Sequence, residues 1–328
     1  MKCINKWICL SLLIAVSCVS GCGKTSVAIE QPYDVYATAA DFGLSSNGTA
    51  EAKSYFASDL CVSEDVAIGT DSTDSQVAEG AGTFNLETNT VVYAKNLYER
   101  LYPASTTKIL TAYIALKYSD DLDAMVTVSE NAVNQASDSS VCNLKAGDVI
   151  RLRDLLYGLM LRSGNDAAVA IAEYISGDVD SFAALMNQEA AAMGATRSHF
   201  VNPNGLPDEN HYTCVYDMYL IFSNAVKNDT FVSIIGTTSY DVTYTDASGE
   251  AVTHTWENTN QYLTGNATTP DGFQIVGGKT GTTGEAGYCL VLYSYNPSGQ
   301  PIISIVFKAD GKSNLYLLMN EMLQGFAI

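Results

Sequence analysis

The chain has 328 residues, of which 47% are hydrophobic and 16% are charged. That balance is ordinary for a globular protein and supplies enough apolar side chains for one large hydrophobic core or two small ones. The 36 acidic and 17 basic residues give a formal net charge of -19, and Lys and Arg form no cluster. The composition therefore argues against nucleic acid as a partner, because nucleic-acid-binding surfaces depend on clustered positive charge.

The N-terminus has the layout of an export signal. Lys2 and Lys6 precede an apolar run at residues 7–19, which is shorter than a membrane span and typical of a secretory signal. The sequence Val-Ser-Gly-Cys at residues 19–22 resembles a bacterial lipobox, in which the cysteine is lipidated. We therefore predict a lipoprotein signal peptide at residues 1–21 and anchoring of the exported protein to the outer face of the bacterial cytoplasmic membrane through lipidated Cys22. The alternative is an ordinary signal peptide, with the cysteine as a bystander.

The segment that follows is rich in Ala, Ser, Thr, Asp and Gly. This composition predicts a largely flexible tether at residues 22–79, with a short helix around residues 51–60. A globular domain is predicted at residues 80–328.

Cysteine and histidine spacing argues against a metal centre. The three histidines have no metal-ligand spacing, and the cysteines outside the signal and the proposed anchor form no Cys-x-x-Cys pair. We therefore expect neither a metal nor another cofactor. The sequence leaves open whether two of these four cysteines form a disulfide. They are Cys61, Cys142, Cys214 and Cys289.

Hydrophobic periodicity predicts strands at both ends of the domain and helices between them. This arrangement predicts an α+β fold, in which the two ends build one sheet, a helical lobe is inserted, and a cleft lies between sheet and lobe. The predicted strands are residues 82–86, 90–94, 273–279, 287–295 and 301–308. The predicted helices are residues 104–117, 152–161, 166–175, 182–193, 217–226 and 315–326.

The first candidate catalytic pair is Ser105 and Lys108, at the start of a predicted helix. Residues three apart share one helix face, so the lysine amine can approach the serine hydroxyl. The apolar helix that follows predicts burial of the lysine, and burial favours the neutral amine that can accept the serine proton. A Ser-x-x-Lys pair alone is equally compatible with a capping serine and a surface lysine.

A second polar element, Ser163-Gly164-Asn165, lies between two predicted helices. A tripeptide in a tight turn can direct a hydroxyl and a carboxamide into a cleft. The same Ser-x-Asn spacing recurs at residues 45–47 and 294–296. Only the position between two helices therefore distinguishes this copy, and the alternative is an ordinary helix cap.

The third element is Lys279-Thr280-Gly281-Thr282, at the end of a predicted strand. The strand edge offers backbone N–H groups, the lysine positive charge, the threonine a hydroxyl, and the glycine close access to the backbone. This combination suits an extended peptide that ends in a carboxylate and docks as an added strand. The alternative is a turn that ends the strand.

In this order and setting, the three elements resemble those of the penicillin-binding proteins and serine β-lactamases. The flanking sequences are similar to those of the low-molecular-mass D-alanyl-D-alanine carboxypeptidases, from about residue 81 to the C-terminus. The resemblance implies a β-lactamase/transpeptidase-like fold with a five-stranded antiparallel sheet. The similar stretches are YPASTTKILTA (102–112), SGNDAA (163–168), FVNPNGL (200–206), GKTG (278–281) and AGY (286–288).

The resemblance also implies an activity, which is release of the terminal D-alanine from peptidoglycan stem pentapeptides of the bacterial cell wall. Ser105 would be the acylated nucleophile, Lys108 its general base, and Ser163 a proton relay to the leaving amine. The backbone N–H groups of Ser105 and Thr282 would form the oxyanion hole. β-Lactams would trap the same serine as inhibitors. The implied substrate-binding residues are Asn165, Lys279, Thr280, Gly281 and Thr282.

Other functions remain compatible with the same residues. A β-lactamase of the same fold usually has Ser-Asp-Asn where this chain has Ser163-Gly164-Asn165, and it needs a base for rapid deacylation, which the sequence does not identify. A non-catalytic lipoprotein that binds wall peptides or β-lactams is a second alternative. Endopeptidase action on peptidoglycan cross-links would use the same active site.

Overall fold

A computed structural model describes residues 57–328, and these residues contain two antiparallel sheets. The predicted signal peptide, Cys22 and most of the predicted tether lie outside the described residues. The strands are β1 (Ala78–Asn85), β2 (Thr90–Lys95), β3 (Met125–Thr127), β4 (Val149–Arg151), β5 (Ser239–Thr245), β6 (Ala251–Glu257), β7 (Gln274–Thr283), β8 (Gly287–Tyr295) and β9 (Pro301–Ala309).

The larger sheet has five strands in the order β2-β1-β9-β8-β7. The predicted sheet built from both ends of the domain is therefore confirmed, and Gly82 of β1 pairs with Ile305 of β9. Strand β7 extends four residues further than predicted, because residues 280–283 continue to pair with β8, as Thr282 does with Tyr288. Lys279 and Thr280 thus lie within a paired strand that forms the edge of the sheet.

The predicted helices are present, but two of them differ from the prediction next to catalytic motifs: one at its start, around Ser105, and one at its end, just before Ser163. The helix predicted from residue 104 begins with a 3₁₀ turn, Ala104–Thr107, and the helix predicted to residue 161 ends in a π-helical turn, Gly158–Arg162. No helix among the described residues is long and apolar enough to span a membrane. The α-helices are α1 (Lys108–Tyr118), α2 (Glu130–Val133), α3 (Leu152–Tyr157), α4 (Asn165–Ser176), α5 (Val179–Ala192), α6 (Val215–Ala225), α7 (Asp229–Ile235) and α8 (Lys312–Phe326).

A second sheet, with the order β3-β4-β5-β6, was not predicted. Strands β3 and β4 have three residues each, too few for a periodic pattern. The β5–β6 hairpin does have a signal, because Val242 and Tyr244 alternate with exposed residues and residues 246–250 contain typical turn formers.

Hydrophobic side chains cover both faces of the five-stranded sheet. Helix α8 packs on one face, where Leu318 and Met319 contact a cluster that includes Leu290 and Val306. The helical lobe packs on the other face. Helix α1 is buried on nearly every side, as expected for a helix that is apolar all round. Its first residue, Lys108, is therefore placed in the protein interior.

Residues 57–77, which the sequence analysis assigned to the tether, contact the domain. Cys61 is buried, and its backbone N–H donates to the Tyr219 hydroxyl at 2.8 Å. Ile68 forms a β-bridge with Ala94. Residues 57–60 form a turn where a helix was predicted around residues 51–60. The four cysteines of the described region are buried free thiols.

Candidate active site

Ser105 lies in the 3₁₀ turn that leads into α1, at the junction of the sheet and the helical lobe. Strand β7 approaches this turn so closely that a Cβ atom at Gly281 would lie 3.0 Å from Ser105 N and 3.1 Å from Pro103 O. Ala104 adopts a left-handed φ of 47° as the chain enters the turn. Glycine at position 281 therefore allows the half-buried Ser105 to sit directly against the strand.

Lys108 is fully buried, and its amine contacts three oxygen atoms from three separate segments. Nζ lies 2.9 Å from Ser105 Oγ, 2.7 Å from Asn165 Oδ1 and 2.6 Å from the backbone O of Asn204. It forms no salt bridge with any residue between 57 and 328. Burial, and then the positive charge of Lys279, lower the pKa of Lys108 well below its ordinary value. The amine is therefore set up to accept the serine proton.

The turn at residues 163–165 directs one polar side chain toward each of two buried lysines: Asn165 contacts Lys108, and Ser163 contacts Lys279. Ser163 adopts φ 61° and ψ 34°, the left-handed conformation, directly after the π-helical turn. Gly164 has no space for a side chain, since a Cβ atom there would lie 2.4 Å from Cys142 Sγ. The buried Asp166 carboxylate accepts the Cys142 N–H at 2.9 Å. Close packing and this buried carboxylate thus fix the turn that positions Ser163 and Asn165.

Lys279 connects the sheet to that turn. Its Nζ donates to Ser163 Oγ at 3.0 Å and to the backbone O of Thr280 at 2.9 Å. Burial lowers the pKa of Lys279 to about 7. The hydroxyl of Thr280 lies 2.6 Å from that of Thr259, which the sequence analysis did not select.

Two cavities meet at Ser105 and Thr282, which border both of them. One has a volume of about 160 Å³ and is lined by the hydroxyls of Ser163, Thr259 and Thr280. The other has a volume of about 300 Å³ and lies beside Leu206. Because Ser105 stands between them, the cleft can hold a peptide on both sides of the bond that the serine attacks.

The structure brings all of the predicted site residues of the domain to this cleft. Gly281 brings β7 against the nucleophile turn, and Thr282 borders both cavities. Sequence reasoning missed Asn204, whose backbone carbonyl contacts Lys108, and Thr259. A side-chain pattern gives no signal for a carbonyl acceptor, whereas Thr259 stands out only once the fold places it beside Thr280.

Comparison with known proteins agrees with this geometry. The profile of the D-alanyl-D-alanine carboxypeptidase family, peptidase family S11, matches residues 69–311. The chain is 34% identical over 251 residues to the D-alanyl-D-alanine carboxypeptidase DacF of Bacillus subtilis, a match that covers 75% of this chain and 61% of DacF. It is 35% identical over 265 residues to a D-alanyl-D-alanine carboxypeptidase of Streptomyces sp. strain K15, covering 76% of this chain and 88% of that protein.

A solved structure shows the same fold. The crystal structure of the Streptomyces K15 DD-transpeptidase superimposes with a TM-score of 0.71 at 33% sequence identity, covering 77% of this chain and 98% of that one. The predicted β-lactamase/transpeptidase-like architecture and the predicted family are confirmed. The chain belongs to the D-alanyl-D-alanine carboxypeptidase family of serine peptidases.

Proposed function

We propose that the protein is a serine D-alanyl-D-alanine carboxypeptidase, which removes the terminal D-alanine from peptidoglycan stem pentapeptides through an acyl-enzyme on Ser105. The observation that supports this most directly is the 2.9 Å contact between Ser105 Oγ and the buried amine of Lys108. A buried lysine with a lowered pKa and no salt bridge within residues 57–328 is suited to act as a base.

In the first half of the reaction, neutral Lys108 takes the Ser105 proton while Oγ attacks the carbonyl carbon of the D-Ala-D-Ala bond. The backbone N–H groups of Ser105 and Thr282 stabilise the oxyanion. The C–N bond then breaks as Ser163 gives its proton to the leaving amine and is reprotonated by the proton that Lys108 took from Ser105, so Lys108 is neutral again for the second half. Lys279 and Thr280 bind the carboxylate of the departing D-alanine, while Asn165 binds the substrate backbone.

In the second half, the acyl group on Ser105 is transferred to an acceptor. Attack by water, with Lys108 as the base, releases the shortened peptide and restores the serine. An amine acceptor would give a transpeptidation product instead. Transpeptidation from the same acyl-enzyme is therefore a second candidate activity, and the structural similarity to a protein named a DD-transpeptidase supports it.

The test uses the full-length protein in detergent and a synthetic peptide that ends in Lys-D-Ala-D-Ala. We expect D-alanine release from the wild type and none from Ser105→Ala, and labelled penicillin should form a lasting adduct with wild type only. Added glycine would divert part of the acyl group into a new peptide if transfer occurs. Tight peptide binding without D-alanine release would contradict the proposal, and rapid penicillin turnover would favour a β-lactamase.

We further propose that the protein is exported and held at the outer face of the cytoplasmic membrane by a lipid on Cys22. The apolar run at residues 7–19 and the lipobox-like residues 19–22 support this. Mass spectrometry of the mature protein should find an N-terminal lipidated cysteine, and Cys22→Ala should abolish membrane association. An unmodified Cys22 in the mature wild-type protein would contradict the proposal.

A further inference from the structure

His211 lies behind the nucleophile turn, and no step of the proposed reaction uses it. The ring is 1% exposed. Its Nδ1 accepts the backbone N–H of Val201 at 3.1 Å, and its Nε2 lies 2.8 Å from Thr107 Oγ1. Because Nδ1 is occupied as an acceptor, the neutral ring has its proton on Nε2 and donates it to Thr107.

Through these contacts, His211 joins two segments that both contact Lys108, the proposed general base. Thr107 precedes Lys108 in the chain, and Val201 begins a loop, residues 201–206, whose Asn204 carbonyl lies 2.6 Å from Lys108 Nζ. The 201–206 loop is also tied to α1 by Thr111, which donates from Oγ1 to the Pro203 carbonyl at 2.6 Å. The loop is thus held on both sides of the lysine, at Thr107 through the His211 ring and at Thr111 directly.

The position of the Asn204 carbonyl matters because it determines the direction in which the lone pair of a neutral Lys108 amine points. A neutral amine has two N–H groups and one lone pair. The Asn165 Oδ1 and Asn204 carbonyl oxygens can accept the two N–H groups. The lone pair is then left to face Ser105 Oγ, the third atom around Nζ. Displacing either acceptor would let the amine rotate and lose this alignment.

We infer that His211 is a positioning residue, which holds the 201–206 loop against Thr107 and thereby keeps the Asn204 carbonyl on the catalytic amine. This inference rests on the proposed function of Ser105 and Lys108. His211 contacts neither the substrate cavities nor the reacting atoms, and it acts through the backbone of the loop.

A positioning role predicts a particular pH behaviour. The charged or titratable groups that influence His211 are Asp208, His199 and Lys108, but burial dominates and lowers the pKa of His211 to about 4. The ring therefore stays neutral above about pH 5. A substitution at His211 should lower the acylation rate by the same factor at every pH from about 5 to 9.

The experiment compares full-length His211→Leu and His211→Gln with wild type by the rate of Ser105 acylation with labelled penicillin. Leucine removes both hydrogen bonds and should lower the first-order acylation constant about 100-fold with little change in the noncovalent dissociation constant. Glutamine restores a donor and an acceptor and should recover the rate to within about tenfold of wild type. The matched control is His199→Leu, which should leave the rate unchanged, because the exposed His199 ring contacts the Asn210 carbonyl and neither Thr107 nor Val201.

Unchanged acylation in a folded His211→Leu protein would overturn the inference. So would a loss that glutamine does not recover, or one that varies with pH as the titration of a general base would. If His211→Leu does not fold, Thr107→Val removes the Nε2 partner alone and Thr107→Ser keeps it, so acylation should fall only in the valine variant. Failure of wild type to react with penicillin would instead contradict the proposed function.

Discussion

The cleft has a helical wall, where Lys108 begins α1, and a sheet wall, where Lys279 lies on β7. Both lysines are buried, but their surroundings differ. On the helical wall, the Lys108 amine has three oxygen neighbours within 2.9 Å. On the sheet wall, the Lys279 amine has two, from Ser163 and Thr280. Counting partners within residues 57–328, a protonated Lys279 therefore keeps one N–H free for an anion in the cavity, whereas the Lys108 amine is fully enclosed.

Hydrogen-bonding partners, rather than burial alone, therefore distinguish the proposed base, Lys108, from the proposed anion-binding cation, Lys279. Both lysines are buried and both have a lowered pKa. Lys108 also experiences the positive charge of Lys279, which favours loss of its proton. A cation on one wall thus helps to keep the amine on the other wall neutral.

The largest effect is expected for Lys108→Met, which keeps a long side chain but removes the base. We expect acylation by labelled penicillin to fall by about 10²–10⁴-fold, the range typical of a lost general base. Thermal stability should change little, because the gain from no longer burying an amine offsets the loss of the donor to the Asn165 and Asn204 oxygens. The matched control is Lys227→Met, since Lys227 is exposed and lines neither cavity of the cleft. Acylation at the wild-type rate by Lys108→Met would contradict the proposal that Lys108, unlike Lys279, is the base for Ser105.

Lys279→Met sharpens the contrast by removing the proposed anion-binding cation. For a peptide that ends in a free carboxylate, we expect kcat/KM to fall by about 10- to 100-fold, because a charge-assisted hydrogen bond is lost. For the same peptide with an amidated C-terminus the loss should be much smaller. Equal losses on both peptides would show that Lys279 acts mainly through the charge state of Lys108.

The stability of the protein should also record the burial of Lys279. The pKa of this lysine is about 7 in the folded protein, against an ordinary value of 10.5. Between these values the unfolded chain binds more protons, so the free energy of unfolding rises with pH. Between pH 7 and 9 we expect the Tm of wild type to rise about 2–4 °C more than that of Lys279→Met. Parallel curves would contradict a lowered pKa at this position.

The smallest effect is expected for Thr259→Val, which removes the hydroxyl beside Thr280. The loss of one neutral hydrogen bond should raise KM for a carboxylate-ending peptide about three- to tenfold, with kcat nearly unchanged. Steady-state kinetics on the peptide acid and its amide would test this. Thr253→Val is the control, because Thr253 makes a similar hydroxyl contact with Thr243 on the exposed surface of the small sheet. A large fall in kcat for Thr259→Val would instead give Thr259 a role in the chemical step.

Much of the fold could be predicted because long segments have clear periodicity. The hairpin at the start, the helices and the three strands at the end all follow from apolar spacing. The small sheet was missed where strands have only three residues, as in β3 and β4. The π-helical turn before Ser163 has no sequence signal of its own. Gly158 at its start and Gly164 just after it both lie so close to Cys142 that neither has room for a Cβ atom, a contact that appears only in the folded chain.

The catalytic motifs were predictable because their chemistry is concentrated in side chains with short spacing. The Ser105–Lys108 contact is local, and a helical turn brings the two groups together. The Asn204 carbonyl and the His211 ring reach the same place from about 100 residues away. Contacts between distant segments depend on the whole fold, so sequence spacing does not reveal them.

The pairing of β1 with β9 also affects how the larger sheet folds. Ala78 of β1 pairs with Ala309 of β9, so β1 cannot form this pairing until residue 309 has been synthesised. Such nonlocal pairing makes assembly slow, because loop closure precedes the contacts that stabilise it. Lys279 and Thr282 also lie late in the chain, on β7. A chain in which β7, β8 and β9 have not yet formed therefore lacks most of the larger sheet, and with it the strand that carries these two residues of the proposed site.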